Sequence, residues 1–194
     1  MGNAKQENKR VKKSITEALF LLMKKKPFSE ISVTDIVTVA GVARASYYRN
    51  FNSLEEIIDY FVEDLHNEIR FTGSIQITED YVSRDIFIKL CENALTQVLS
   101  KKSYILALVD NGFSSRLQSI ADVYIENVAG DMRYNSVNKY ILYCLSGAIM
   151  NMLIHWLRDG AEESPHELAT VFSDYFLHGI LELLPLHWAS DHAK

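Results

Sequence analysis

The chain has 194 residues with 48% apolar content, enough for one medium domain or two small ones with a buried core. Its net charge of −5 argues at first sight against a nucleic-acid ligand, but the charge is unevenly placed. Residues 1–49 hold 10 Lys and Arg against 4 Asp and Glu, about +6, and the remainder holds 10 against 21, about −11. A small basic module joined to a larger acidic body suits a protein that meets phosphates at one end only.

The first segment carries Val11, Ile15, Ala18, Leu19 and Leu22 at three- and four-residue steps. This spacing predicts a first amphipathic helix with Lys9, Arg10, Lys12 and Lys13 at its start, ending near Lys24–Lys26 before Pro27. Ser32, followed by Asp35 three residues on, is a helix-start pattern, so a short second helix is expected over about Val33–Val39. Gly41 permits the positive φ of a tight turn, and a third helix follows over about Ala43–Asn50. Ser53 with Glu56 forms a capping-box pattern that opens a long fourth helix, with Leu54, Ile57, Ile58, Phe61, Leu65 and Ile69 on one face, running to about Phe71.

The polar stretch from Thr72 to Asp80 reads as a linker, dividing the chain into residues 1–72 and 73–194. Five further helices are expected, near Arg84–Ser100, Tyr104–Asn111, Ser115–Asn127, Val137–Arg158 and Pro165–Leu184. Ser164, Pro165 and Glu167 mark a strong start for the last of them. The fold class is all-α with about nine helices: a three-helix module followed by a helical bundle.

Two short helices joined by a glycine turn, with a third helix in front, make a helix-turn-helix whose second member fits a major groove. Spacing divides its residues. Val42, Tyr47 and Phe51 fall on the inward side, whereas Arg44, Ser46, Tyr48 and Asn50 point outward. Arg44 is suited to a guanine edge, Asn50 and Ser46 to bases or phosphates, and Tyr48 to a phosphate. Ser32 and Thr34, at the start of the second helix, are candidate phosphate contacts. Ala43 and Arg49, within the same motif, and Lys9 and Lys13, in front of it, complete the candidate DNA-binding set.

Ile31-Ser32-Val33, Ile36, Gly41-Val42, Tyr47-Tyr48 and Phe51, followed by a long helix, resemble the tetracycline-repressor (TetR) type of bacterial regulators over residues 9 to about 70. The resemblance implies a homodimer on a double-stranded DNA operator. It also implies that residues 75 onward form a helical body that pairs subunits through its last two long helices and commonly holds an effector. The family often has Ser where Ala43 stands and Lys where Asn52 or Leu54 stands, departures that weaken helix capping and phosphate grip.

For the body, Leu145, Ala148, Met152, His155, Phe172 and Phe176 are the candidate dimer interface. Tyr104, Phe113, Tyr124, Tyr143 and Met150 are the candidate lining of a pocket for a small hydrophobic effector, against the plainer reading of core aromatics. His155 and Trp156 read as core or interface residues in preference to pocket lining. No cofactor or metal is expected, since Cys91 and Cys144 stand 53 positions apart and the histidines are widely spaced. No catalytic motif is present, so an enzyme is not expected.

The uncharged segment Tyr140–Leu157 approaches the length of a membrane span, but Asn151 and His155 would be costly in lipid, and a buried or interfacial helix is expected instead. With no secretory signal and no cysteine pairing pattern, a cytoplasmic location is expected. The leading functional reading is a ligand-responsive homodimeric repressor on a palindromic operator. The alternative is a coactivator on the same fold that docks on another regulator.

Overall fold

The computed structural model describes residues 2–72, 84–129 and 138–175. These are helical, with nine α-helices and no strand among the described residues. In chain order they are α1 (Gly2–Met23), α2 (Val33–Ala40), α3 (Arg44–Tyr48), α4 (Leu54–Thr72), α5 (Arg84–Ser100), α6 (Lys102–Asp110), α7 (Ser114–Ala129), α8 (Asn138–Arg158) and α9 (Pro165–Tyr175). A 3-10 turn at Phe28–Glu30, which the periodicity did not predict, fills the gap between Pro27 and α2.

The chain packs as two compact units, Met1–Asn67 with Ser103–Ile120, and Glu68–Lys102 with Ala121–Lys194. The expected division after residue 72 is therefore not the whole of the packing, because residues 103–120 fold against the first helices. In the first unit, Ile15, Ala18, Leu19, Phe20 and Met23 of α1 are buried, as are Ile57, Ile58, Phe61 and Leu65 of α4. Tyr104 of α6 closes this core with its ring centroid 4.7 Å from Phe20 and 5.5 Å from Phe61.

The corner between α6 and α7 is tied to the 3-10 turn. Asn111 accepts the Phe28 N–H through Oδ1 at 2.9 Å and donates through Nδ2 to the Ala107 carbonyl, while Phe28 and Phe113 meet edge to face at 4.8 Å. Arg116 of α7 pairs with Asp59 of α4. Apart from Asn111 and Ala107, these partners are far apart in sequence, so no local pattern could have announced them.

In the second unit α5 packs along α9. Arg84 meets Asp174 at 2.7 Å and Glu92 meets His166 at 3.0 Å, so the start of each helix faces a later turn of the other and the pair runs antiparallel. Phe87 and Phe172 stack between these two polar contacts. The start of α9 is the capping box read from sequence: Glu167 N–H donates to Ser164 Oγ, and the Glu167 carboxylate accepts from the Ser164 N–H and hydroxyl. In α8, Trp156 is buried and its indole N–H donates to the Glu163 carbonyl, fixing the turn that follows. Among the described residues, no helix is long and apolar enough to cross a membrane.

Candidate nucleic-acid interface

Ser32 caps α2 as its sequence position predicts. Its hydroxyl oxygen accepts the Asp35 N–H, and the Asp35 carboxylate takes the Ser32 N–H at 2.8 Å and the Ser32 hydroxyl at 2.7 Å. Lys26 at the end of the preceding segment adds an ion pair at 2.9 Å to the same carboxylate oxygen. The Lys26 ammonium and the Ser32 donors hold the Asp35 carboxyl well below the usual carboxylate range. The α2 N-terminus thus already has an anion of its own, and the proton of the Ser32 hydroxyl is engaged by it.

A folded carboxyl whose pKa lies below its ordinary value stabilises the fold fully above that ordinary value, and the contribution shrinks as pH falls from there and is lost as pH passes through the lower folded value. Asp35→Asn is therefore expected to unfold at lower urea than the parent chain at pH 7, with the gap closing below about pH 4. A gap of the same size at pH 3 would show that the charge of Asp35 is not what holds this corner.

Gly41 ends α2 in the left-handed region, φ 65° and ψ 32°, where its N–H still reaches the Val37 carbonyl. The chain then reverses into α3, only five residues long and preceded by Ala43 in extended conformation with no side-chain cap. Tyr47 is fully buried and Phe51 nearly so, and they pin this short helix from below, with Phe51 meeting Tyr60 at 5.8 Å. Lys12 of α1 lies 4.9 Å over the Tyr60 ring and 5.6 Å over Phe51, a cation–π cover that spacing alone does not reveal. Burial pushes the Tyr47 hydroxyl up to about 12, so it stays protonated at every working pH. Tyr47 is scaffold.

Because α3 lacks a cap, Ala43→Ser is expected to raise the stability of the chain by about 1 kcal/mol by supplying an acceptor for a free helix-start N–H. Thermal unfolding of the two chains side by side measures it. No gain would mean that the extended backbone at Ala43 does not bring a serine oxygen to the N–H groups of this helix.

The outward face is a set of hydroxyls and guanidiniums. Arg44 donates through Nη1 to Thr34 Oγ1 and through Nη2 to the Tyr48 hydroxyl, each at 3.0 Å, and its Cζ stands 5.4 Å over the Tyr48 ring. Arg49 donates to Ser46 Oγ at 2.8 Å. Arg44, Tyr48, Arg49, Thr34 and Ala43 are exposed and Ser46 is half-buried. Lys9 and Lys13 are exposed on α1, Lys13 within 3.8 Å of Glu17 in a solvated pair of little energetic weight.

Asn50 departs from the outward orientation expected of it. Its Nδ2 donates back to the Ser46 carbonyl at 2.8 Å, and its Oδ1 is buried with no hydrogen-bond partner. The last turn of α3 has free carbonyls, and a short amide side chain beside them satisfies one of these before reaching solvent. At the head of α4, Ser53 Oγ accepts the Glu56 N–H, but the Glu56 carboxylate turns to the N–H and side-chain amide of Asn52 instead of closing the expected reciprocal box.

The body residues separate in the structure. Tyr104 and Phe113 belong to the first unit, packed on Phe20, Phe61 and Phe28, whereas Tyr143 and Met150 belong to the second. Tyr143 is exposed and Met150 half-buried, while the side chain of Tyr124 lies outside the described residues. Of the interface candidates, Ala148 and His155 are exposed and Met152 and Phe172 are half-buried; Phe176 is outside the described residues. Leu145, at 7% exposure, is buried in the protomer, one turn along α8 from the exposed Ala148. Tyr140 of α8 and Val171 of α9 are also exposed; apolar residues on every side of α8 hide from its sequence which side faces out. No cluster of His, Cys, Asp and Glu suited to a metal ion occurs among the described residues.

Residues 83–178 match a family model of the TetR type described as the transcriptional regulator C-terminal region. No curated protein matches the chain by sequence. Among solved structures, a TetR transcriptional regulator from Streptococcus agalactiae aligns with a TM-score of 0.63 at 18% identity, over 88% of this chain and 96% of the other. DhaS, described as an activator of a dihydroxyacetone kinase operon, aligns at 0.54 and 19% identity over 86% and 94% of the two chains. PfmR, a TetR family regulator from Thermus thermophilus, aligns at 0.52 and 16% identity over 86% and 98%. At these identities the structural likenesses show a shared fold.

Proposed function

The chain belongs to the TetR family of transcriptional regulators, and from that premise we propose that it is a homodimeric repressor that binds a palindromic double-stranded operator in the major groove. The observation that carries this reading is the exposed face of α3 and α2, where Arg44, Tyr48, Arg49, Ser46 and Thr34 stand on a buried Tyr47–Phe51 base within the basic part of an otherwise acidic chain. Guanidiniums and hydroxyls in that arrangement offer donors both to base edges and to phosphates. Two copies would read half-sites about one helical turn, or ~34 Å, apart. A small hydrophobic effector held by the body would act by binding better to the state in which that spacing is wrong. A cytoplasmic location belongs to the same reading.

Selection of duplexes from a random pool by the full chain, followed by titration at increasing salt, tests it. A palindromic duplex is expected to emerge, bound with an affinity that falls linearly in log–log form, by a slope of about 0.9 for each phosphate neutralised. If no duplex is retained even at low salt, the chain is not an operator-binding regulator.

A second reading, a coactivator that docks on another regulator, is favoured by one feature. Asn52 stands where the family often has Lys, and its amide and N–H are both taken by the Glu56 carboxylate, which they hold below its usual pKa range. That places an anion at a corner where phosphate grip was expected. DhaS, of similar fold, is itself described as an activator. Arg44→Ala with Tyr48→Phe separates the two: unchanged DNA occupancy with retained partner binding supports the coactivator.

A further inference from the structure

Resting on the DNA-binding reading above, we propose that Thr34 is a positioning residue for base readout: its hydroxyl, together with Tyr48, sets the Arg44 guanidinium as a fork for a guanine in the major groove. An exposed arginine on a one-turn helix has no neighbours of its own to fix it. Arg44 is nevertheless held at three points on two helices, by Thr34 Oγ1, by the Tyr48 hydroxyl and by the Tyr48 ring.

The chemistry of the holders is telling. Lys26, Arg84, Lys101 and Arg116 each pair with a carboxylate. Arg44 is held by neutral hydroxyls, which orient a cation without cancelling its charge. Of the five N–H groups of a guanidinium, two are used here and three remain for a ligand. Guanine presents two acceptors, N7 and O6, on its major-groove edge, the pattern that a planar donor fork matches. Thr34 is itself fixed within the regular turn of α2, where its carbonyl accepts the Thr38 hydroxyl at 2.7 Å. Anchorage on the longer, side-chain-capped α2 therefore supplies a reference that the uncapped α3 lacks.

The test uses the full chain and the duplex it selects from a random pool, with each guanine replaced in turn by 7-deazaguanine, which lacks the N7 acceptor. At one guanine the parent is expected to lose about tenfold or more in affinity. Arg44→Ala should bind the unmodified duplex more weakly by a similar factor and be indifferent to that replacement. Thr34→Val, which keeps the shape and removes the hydroxyl, should lose most of the discrimination, and Thr34→Ser should retain it, with the urea midpoints of both near the parent's.

The proposal is overturned if Thr34→Val keeps the full discrimination, or if it weakens binding to both duplexes by one common factor, as a phosphate contact or a simple strut between helices would. It is also overturned if Arg44→Ala leaves the guanine preference intact. Selection of no duplex at all is a different failure, which removes the DNA-binding reading and this proposal with it.

Discussion

Phe20→Ala is expected to cost about 3–5 kcal/mol of stability. Phe20 is 1% exposed and sits at the junction of three helices, with its ring centroid 4.7 Å from both Phe61 of α4 and Tyr104 of α6. Removing the ring loses the transfer free energy of a buried aromatic and two aromatic pairings, each worth about 0.5–1.5 kcal/mol beyond area. The cavity would be walled by Phe61 and Tyr104, which stack on each other at 5.5 Å and are poorly placed to collapse into it. Phe20→Leu, which refills part of the volume, should recover a substantial share. Urea unfolding read by circular dichroism decides the matter, and a loss below about 1 kcal/mol would mean that this site relaxes in a way the packing does not suggest.

Much of the helix-turn-helix was legible because its signals are local. Ser32 and Asp35 are three residues apart and bond to each other, Gly41 takes the positive φ its position demands, and Tyr47 and Phe51 repeat at helical spacing on one buried side. The start of α9 was legible for the same reason, since Ser164 and Glu167 complete one another across a single turn.

What was not legible depends on the third dimension. An aromatic residue announces that it will be buried but not against what, so spacing left pocket lining and plain core both open for Tyr104 and Phe113, which pack on Phe20, Phe61 and Phe28. The Lys26–Asp35 pair and the Thr34–Arg44–Tyr48 cluster join residues up to ten positions apart, across a turn whose geometry decides whether they meet. Asn50 failed in another way. Helical spacing put it outward, but its amide bonds its own helix, a competition between side chain and backbone that spacing does not score.

The same limit governs α8, and there it yields the sharpest test of pairing between subunits. The helix is apolar almost all round, so its sequence does not say which face is spare. In the protomer Leu145, Ser146, Trp156 and Leu157 are buried, while Tyr140, Tyr143, Ala148 and His155 form an exposed set at helical spacing. If two copies pair through that exposed face, Ala148→Glu is expected to turn the dimer into a well-folded monomer. A glutamate at this exposed position stays hydrated in the isolated protomer, but on pairing it becomes a buried charge without a partner, a penalty of about 3–5 kcal/mol. That corresponds to roughly two to four decades in the dimer dissociation constant, enough to separate subunits at micromolar concentration. Leu145→Ala is the opposite control, because a side chain buried within its own subunit should cost about 2–5 kcal/mol of protomer stability. Light scattering reads the mass and urea unfolding the stability. An Ala148→Glu chain that remains dimeric would place the subunit contact on another face, and one that unfolds would mean that Ala148 is less free in the protomer than its exposure indicates.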